Sequence, residues 1–165
     1  MKSILISLLA VISFTLSAQY TGKEAGIRGG ITSGFTYRQY LDEGFSYEGL
    51  LSFRKDGMQF TFLRQTHQQT LLDFSDNIFL VIGYGAHAGF FYDSDYRLFL
   101  DIPVIFPTRR FSPLAGIDGY GALEYRMSSI PLTFAFDYKP FFEISTYQFF
   151  KISVWDMAIA LKYRF

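Results

Sequence analysis

The last segment of the chain, residues 153–165, alternates between two kinds of side chain. One face would carry Trp155, Met157, Ile159, Leu161, Tyr163 and Phe165, and the other Asp156, Ala158, Ala160, Lys162 and Arg164. A period of two places each set on one face of a β-strand, whereas a helix would scatter both sets around its surface. The segment is therefore predicted to be a strand with one apolar face.

Seven earlier segments repeat the alternation, although 78–92 is apolar on both faces. They are 24–37, 45–54, 58–65, 78–92, 96–106, 114–126 and 131–144. The chain is therefore predicted to be all-β, with eight strands and no helix.

The links between these segments differ in length. Three are tight turns, Lys55-Asp56-Gly57, Asp93-Ser94-Asp95 and Ser128-Ser129-Ile130. Four are longer, at 38–44, 66–77, 107–113 and 145–152. Short and long links alternate along the chain, so an antiparallel up-and-down barrel would carry the tight turns and both termini at one end.

The first 18 residues differ from the rest. Lys2 is followed by an apolar run from Ile4 to Leu16 and then by Ser17-Ala18. The run is shorter than the roughly 20 residues of a transmembrane helix, and small residues follow it. Residues 1–18 are predicted to be a secretory signal peptide, and 19–165 a single barrel domain.

The composition requires an apolar environment for one face of the sheet. Half of the residues are hydrophobic, with 20 Phe and 12 Tyr, while only 18% are charged, against about 25% in soluble domains. The 15 basic and 15 acidic residues leave no net charge to attract nucleic acid. The absence of Cys excludes a disulfide framework, a thiolate metal site and a Cys nucleophile.

A soluble barrel would turn the aromatic face inward, and a membrane barrel would turn it outward. With the aromatic face outside, seven bases and seven acids point into the lumen, where opposite charges can pair. They are Arg28, Arg54, Arg97, Arg126, Lys139, Lys162 and Arg164, with Glu48, Asp101, Asp118, Glu124, Asp137, Glu143 and Asp156. The opposite register would crowd about twenty large apolar groups into an eight-stranded lumen that side chains already fill. The sequence therefore favours a transmembrane barrel.

The polar segment around His67 is one candidate for chemistry. His67 with Ser75 and either Asp73 or Asp76 offers the residue types of a hydrolase, and Asp73, Asp76 and Asn77 offer oxygen ligands for calcium. A solvated loop accounts for the same residues more simply. No catalytic or metal site is predicted here.

Other motifs also have structural explanations. His87, on a strand, is predicted to be an interior hydrogen-bonding residue, and two histidines without Cys make no convincing metal site. Gly83-Tyr84-Gly85 and Gly119-Tyr120-Gly121 precede no predicted helix, so their glycines are interpreted as allowing close strand approach or relieving a crowded lumen rather than as phosphate loops. Arg109-Arg110 is a candidate for contact with lipopolysaccharide phosphates. No catalytic, cofactor-binding or metal-binding residue is assigned, and the protein is not expected to be an enzyme.

The stretches GIRGG (26–30), GYGAHAGFFYD (83–93), GIDGYGALEYRM (116–127) and IPLTFAFDYKP (130–140) resemble the small outer-membrane barrels common in Bacteroidetes-type bacteria. The end of the chain, 160–165, is similar to the terminal strand that the barrel-assembly machinery reads in such proteins. The resemblance implies an eight-stranded barrel in the outer membrane of a Gram-negative bacterium, in contact with the lipid bilayer and lipopolysaccharide. It implies no particular reaction.

The function expected from the sequence is structural or adhesive, with a lumen filled by side chains. The alternatives are a narrow transport or secretion-accessory barrel and a lipid-modifying barrel enzyme. A lumen free of charges would favour transport, and a His beside a Ser and a carboxylate at the rim would favour the enzyme.

Overall fold

The computed structural model describes residues 22–42, 44–54, 57–69, 76–97, 103–146 and 151–165, with the backbone alone for 93–97 and 103–110. The predicted signal peptide lies outside these residues. Every regular element of the described part is a β-strand, which confirms the all-β prediction. No helix long and apolar enough to cross a bilayer occurs in these ranges.

The strands form one closed antiparallel sheet. In chain order they are β1 (Lys23–Gly30), β2 (Ser33–Tyr40), β3 (Phe45–Arg54), β4 (Gly57–Gln69), β5 (Ile78–Arg97), β6 (Pro103–Arg126), β7 (Leu132–Tyr138), β8 (Phe141–Ser145), β9 (Lys151–Ser153) and β10 (Met157–Arg164). Neighbours in sequence pair from β1 to β6, and β6 pairs with β7, β7 with β10, and β10 with β1. The last pairing closes the barrel.

Two of the barrel strands are interrupted, so ten elements make eight strands around the barrel. β7 and β8 both pair with β6, one after the other along its length, and β10 and β9 pair in turn with them. The first interruption contains Pro140, which has no backbone N–H to donate. The backbone N–H of Lys139 instead donates to the Asp156 carbonyl, at 2.8 Å, which bridges the two interruptions. The prediction of eight antiparallel strands is confirmed.

One predicted strand, 24–37, is in fact the β1–β2 hairpin with a link of two residues, Ile31-Thr32. Across this turn Ile27 pairs with Phe35 and Ala25 with Tyr37, so odd-numbered residues pair with odd-numbered residues. The alternation therefore continues through the turn in the same phase, and the period alone could not reveal the turn. The seryl Oγ of Ser33 closes it by accepting from the Gly30 N–H at 3.1 Å.

Two predicted boundaries in the middle of the chain are also wrong. The expected turn Asp93-Ser94-Asp95 lies within β5, where the pairing with β6 shifts register between Asp93 and Asp95. The expected strand 96–106 is divided between β5 and β6, and the expected loop 107–113 belongs to β6. An irregularity in the pairing absorbs the extra residues and lets the hairpin continue past a polar segment whose sequence is typical of a turn.

Because 24–37 forms two strands rather than one, each of the next three links lies at the opposite end of the barrel from the end predicted for it. The strand ends that flank the β2–β3, β4–β5 and β6–β7 links lie at the end of the barrel that holds the N-terminus of β1 and the C-terminus of β10, which we call the terminal end. The β1–β2 link, residues 31–32, and the paired strand ends Arg54 and Gly57 lie at the opposite end. The prediction that the termini share an end with all the tight turns is therefore wrong.

The predicted faces of the strands are confirmed where side chains are described. Ala158, Ala160 and Lys162 of β10 are buried in the lumen, and Met157, Ile159 and Leu161 are exposed on the outside. Close approach of strands is confirmed at Gly85, where an added Cβ would overlap the Phe62 carbonyl oxygen. Close approach is not observed at Gly121, where an added Cβ would have no atom within 4 Å.

Candidate functional site

The lumen contains two networks of buried ion pairs, and the first is centred on Arg38. The Nη2 atom of Arg38 lies 2.7 Å from both the Glu48 and the Glu124 carboxylates. Its Nη1 lies 3.1 Å from Glu24. All four side chains are buried. A single guanidinium thus joins carboxylates from three other strands, which suits its planar fork of five donors.

Two more cations complete this network, which we call the Arg38 network. Lys162 Nζ lies 3.0 Å from Glu48 and 3.5 Å from Glu124. Arg126 Nη2 lies 3.2 Å from Glu124. Three cations therefore face three carboxylates, and the network is electrically neutral with all of them ionised.

The second network, which we call the Asp156 network, lies toward the opposite end. Arg28 contacts Asp137 at 2.6 Å and Asp156 at 3.5 Å. Lys139 contacts Asp156 at 3.3 Å and Asp118 at 3.0 Å. These five side chains come from three sheet elements and from both strand interruptions, so the network also holds the interrupted segments in place.

The Asp156 network continues through a histidine. His87 Nδ1 lies 2.7 Å from Asp118, and its Nε2 lies 3.4 Å from Glu143. Arg54 contacts the same Glu143 at 2.8 Å. The prediction that His87 is an interior hydrogen-bonding residue is confirmed.

An apolar layer separates the two networks. Its buried side chains are Leu50, Leu63, Val81, Tyr120 and Ala122. On β6 the order along the strand is Glu124 in the Arg38 network, then Ala122 and Tyr120, then Asp118 in the Asp156 network. The order repeats on β7 and β10, where Ala135 and Ala160 lie between the networks. The lumen between the two networks is therefore lined by apolar rather than charged side chains.

Most of the predicted lumen charges lie inside the barrel. Arg28, Arg126, Lys139, Lys162, Glu48, Asp118, Glu124, Asp137, Glu143 and Asp156 are buried, while Arg54 and Arg164 are partly exposed. Asp101 and the side chains of Arg97, Arg109 and Arg110 lie outside the described residues.

Sequence reasoning missed two members of the Arg38 network. The predicted link 38–44 includes Arg38, and the predicted set of lumen charges does not include Glu24. Both are inward-facing residues at the end of a strand. The signal that would have found Arg38 is the alternation itself, since Thr36 and Arg38 continue the inward face of the same strand.

His67 lies on β4 inside the barrel rather than in a solvated loop, so its predicted position is wrong. Its Nδ1 lies 2.7 Å from Arg126 Nη2, and its Nε2 lies 2.7 Å from Ser46 Oγ. Its predicted partners Asp73 and Ser75 lie outside the described residues.

The Ser46–His67 pair is not arranged as a nucleophile and its base. A guanidinium has no acceptor atom, so His67 Nδ1 must accept from Arg126 and Nε2 must carry the proton. His67 therefore donates to Ser46, whose hydroxyl donates onward to Gln65 Oε1 at 3.2 Å. Gln65 in turn donates to Glu48 at 2.8 Å. The ring has no free lone pair with which to deprotonate the serine, so the chain of hydrogen bonds positions the lumen groups.

The described residues contain no candidate metal-binding site, because no three or more of their His, Asp or Glu side chains are placed to hold an ion. The candidate calcium ligand Asp73 lies outside those residues. Of the other two candidates, Asp76 is exposed and its backbone carbonyl accepts from Gln69 Nε2 at 3.2 Å, and the backbone carbonyl of Asn77 accepts from the Arg126 N–H at 2.9 Å.

The outer surface of the barrel is apolar, whereas the lumen is charged. A belt of apolar side chains runs from strand to strand through direct cross-strand partners. In order around the barrel it contains Tyr125, Phe134, Leu161, Ile27, Phe35, Leu51 and Phe60. Six of the seven are well exposed. Water-facing surfaces of monomeric proteins rarely carry so continuous an apolar band.

Comparison of the chain with protein-family models, curated proteins and solved structures finds no match.

Proposed function

We propose that this protein is a transmembrane β-barrel of the outer membrane of a Gram-negative bacterium, with a structural or surface-interaction (adhesive) role. The observation that carries the proposal is the continuous outer belt of exposed apolar side chains around a lumen of paired charges. Soluble up-and-down barrels have the reverse arrangement, with apolar groups inside. A bilayer gives the belt an apolar partner, and closure of the sheet satisfies the backbone groups that lipid cannot.

A structural or adhesive role is supported by the lumen. Side chains fill an eight-stranded barrel, and here ion pairs on both sides of an apolar layer do so. The β5–β6 hairpin adds a surface for contact, because its strands pair with each other beyond Phe91, where the pairing of β5 with β4 ends. The hairpin projects at the end opposite the termini.

The proposal is tested by refolding the protein into phospholipid vesicles and planar bilayers. We expect a folded form that migrates differently on gels before and after boiling, because a closed barrel resists detergent at room temperature. We also expect no steady large conductance, because the apolar layer and the ion pairs close the lumen. Failure to enter vesicles would contradict the membrane location, and reproducible ion-selective channel steps would favour the transport alternative.

The last residue is expected to matter for assembly in cells. The backbone N–H of Phe165 donates to the Lys23 carbonyl at 3.0 Å, and its ring stacks with Tyr163 beside the seam between the first and last strands. Deletion of Phe165 should lower the amount of protein in the outer membrane, with the remainder degraded in the periplasm, because the terminal aromatic residue is the proposed signal for the assembly machinery. Fractionation followed by immunoblotting measures this. Wild-type yield without Phe165 would count against recognition of the terminal strand.

A further inference from the structure

The outer face of β2, β3 and β4 contains an apolar hollow of about 630 Å³. Aromatic side chains line it, among them Phe35, Tyr37, Phe60 and Phe62. Gly49 lies among them, and a Cβ added there would be 3.5 Å from the Phe60 ring. The hollow is thus open because a glycine occupies the outward position between large neighbours.

A second hollow of about 420 Å³ lies beside the first, between β3, β4 and β5. It is lined by three polar residues at successive outward positions of β4, Arg64, Thr66 and Gln68, and by Tyr84 on β5. The hollow therefore offers a cation and two hydrogen-bonding side chains on a surface that is otherwise largely apolar.

Arg64 has no carboxylate partner among the residues that the structure describes. It is exposed, and its guanidinium lies 5.6 Å from the centre of the Phe45 ring. This contrasts with the buried lumen arginines, each of which pairs with at least one carboxylate. At the surface of a bilayer, an exposed guanidinium attracts the phosphates of lipid headgroups.

The two hollows meet at one cross-strand pair. Tyr47, which lines the apolar hollow and stacks on Phe62 at 5.3 Å, pairs directly with Arg64 across β3 and β4. The apolar hollow extends from Leu41, in the link at the terminal end, to Phe35 and Phe60 in the apolar belt. A molecule with its charge at Arg64 and its chain along this hollow would point from the membrane surface toward the bilayer centre.

We propose that these hollows form a binding site for an anionic phospholipid of the leaflet at the terminal end. Its phosphate contacts Arg64 and Thr66, and one acyl chain lies over Gly49 between the aromatic rings. The charge complements Arg64, and the chain fills a hollow that a bulk lipid surface would leave poorly packed. This assignment rests on the proposed membrane location.

The test is native mass spectrometry of the protein folded in vesicles of equal parts phosphatidylglycerol and phosphatidylcholine. Wild-type protein should retain phosphatidylglycerol in preference to phosphatidylcholine. Arg64→Gln should reduce the retained phosphatidylglycerol about tenfold, the scale of one lost charge-assisted contact. Arg64→Lys should keep much of it, because the charge remains.

The acyl-chain half of the site has its own variant and control. Gly49→Leu should fill the apolar hollow and reduce retention of both lipids. Gly121→Leu adds the same side chain at another outward glycine, where a Cβ meets nothing within 4 Å, and should retain lipid as the wild type does. Gel migration before and after boiling shows that each variant is folded.

The outcomes separate this inference from the proposed function. Wild-type protein that fails to enter vesicles contradicts the membrane location itself. Protein that inserts and retains the same lipids with Arg64→Gln as without it overturns the lipid site alone. A dimer that Gly49→Leu dissociates would also overturn it, because a second copy of the chain would then occupy the hollow.

Discussion

Replacing Arg38 by methionine is expected to destabilise the barrel by about 3–5 kcal/mol, the cost of removing one partner from a buried ionic network. Arg38 lies within 3.1 Å of three carboxylates on three other strands. Because Glu24, Glu48 and Glu124 are buried, bulk water would not solvate their charges once the guanidinium is removed. With Lys162 and Arg126 left, three carboxylates would face two cations. Urea unfolding of protein folded in vesicles, followed by the gel shift, measures the loss.

The matched control for this variant is Lys23→Gln, which removes one positive charge from the neighbouring strand β1. Lys23 is partly exposed and precedes the buried Glu24, so its side chain faces outward. Its replacement should change the unfolding free energy by no more than about 0.5 kcal/mol. If Arg38→Met lost less than about 1 kcal/mol, the lumen would be more hydrated or more adaptable than a paired ionic network allows.

The variant Leu161→Arg distinguishes a membrane barrel from a soluble one with the same fold. Leu161 is on the outer face, paired with Ile27 on one side and Phe134 on the other, in the middle of the apolar belt. In a bilayer the arginine should cost about 2–4 kcal/mol, because its charge must enter hydrocarbon near the midplane. On a water-exposed surface the same change should cost no more than about 0.5 kcal/mol.

The control for Leu161→Arg is its neighbour on the lumen face, Ala160→Ser, which should be the milder change because it adds one uncharged hydroxyl between the two polar networks, whereas the arginine places a charge in hydrocarbon. Unfolding of both variants in vesicles provides the comparison. A harmless arginine would contradict the membrane location. A damaging serine together with a harmless arginine would mean that the faces of β10 are reversed, which a register shift of one residue would produce.

The charges of the lumen form two separate networks. Balanced charge along the strands is compatible with many pairings, but the structure sorts the charges into two groups with an apolar layer between them. The Arg38 network lies near the terminal end and joins β1, β2, β3, β6 and β10. The Asp156 network holds together the interruptions of the barrel strands. Each network therefore binds elements that are distant in sequence, which supports a structural role for the lumen charges.

The sequence by itself determined the face to which each side chain points. In Met157–Arg164 the alternation of large apolar with charged or small residues has one solution on a strand, and adjacent strands repeat it. It also determined that the lumen would be charged, because the small and charged set is the one that fits a narrow interior. These features depend on local periodicity, which a single segment contains in full.

Only the tertiary structure decided where the strands end and which charges meet. The β1–β2 turn keeps odd residues opposite odd residues, so the periodicity gave no sign of it. The register shift near Asp93 lets one hairpin continue through a segment whose sequence is typical of a turn. Arg38 and Glu124 are 86 residues apart in the chain, and His67 lies in the lumen because β4 extends beyond its alternating core. Such contacts depend on register, closure and strand length, which are properties of the whole sheet and not of any segment.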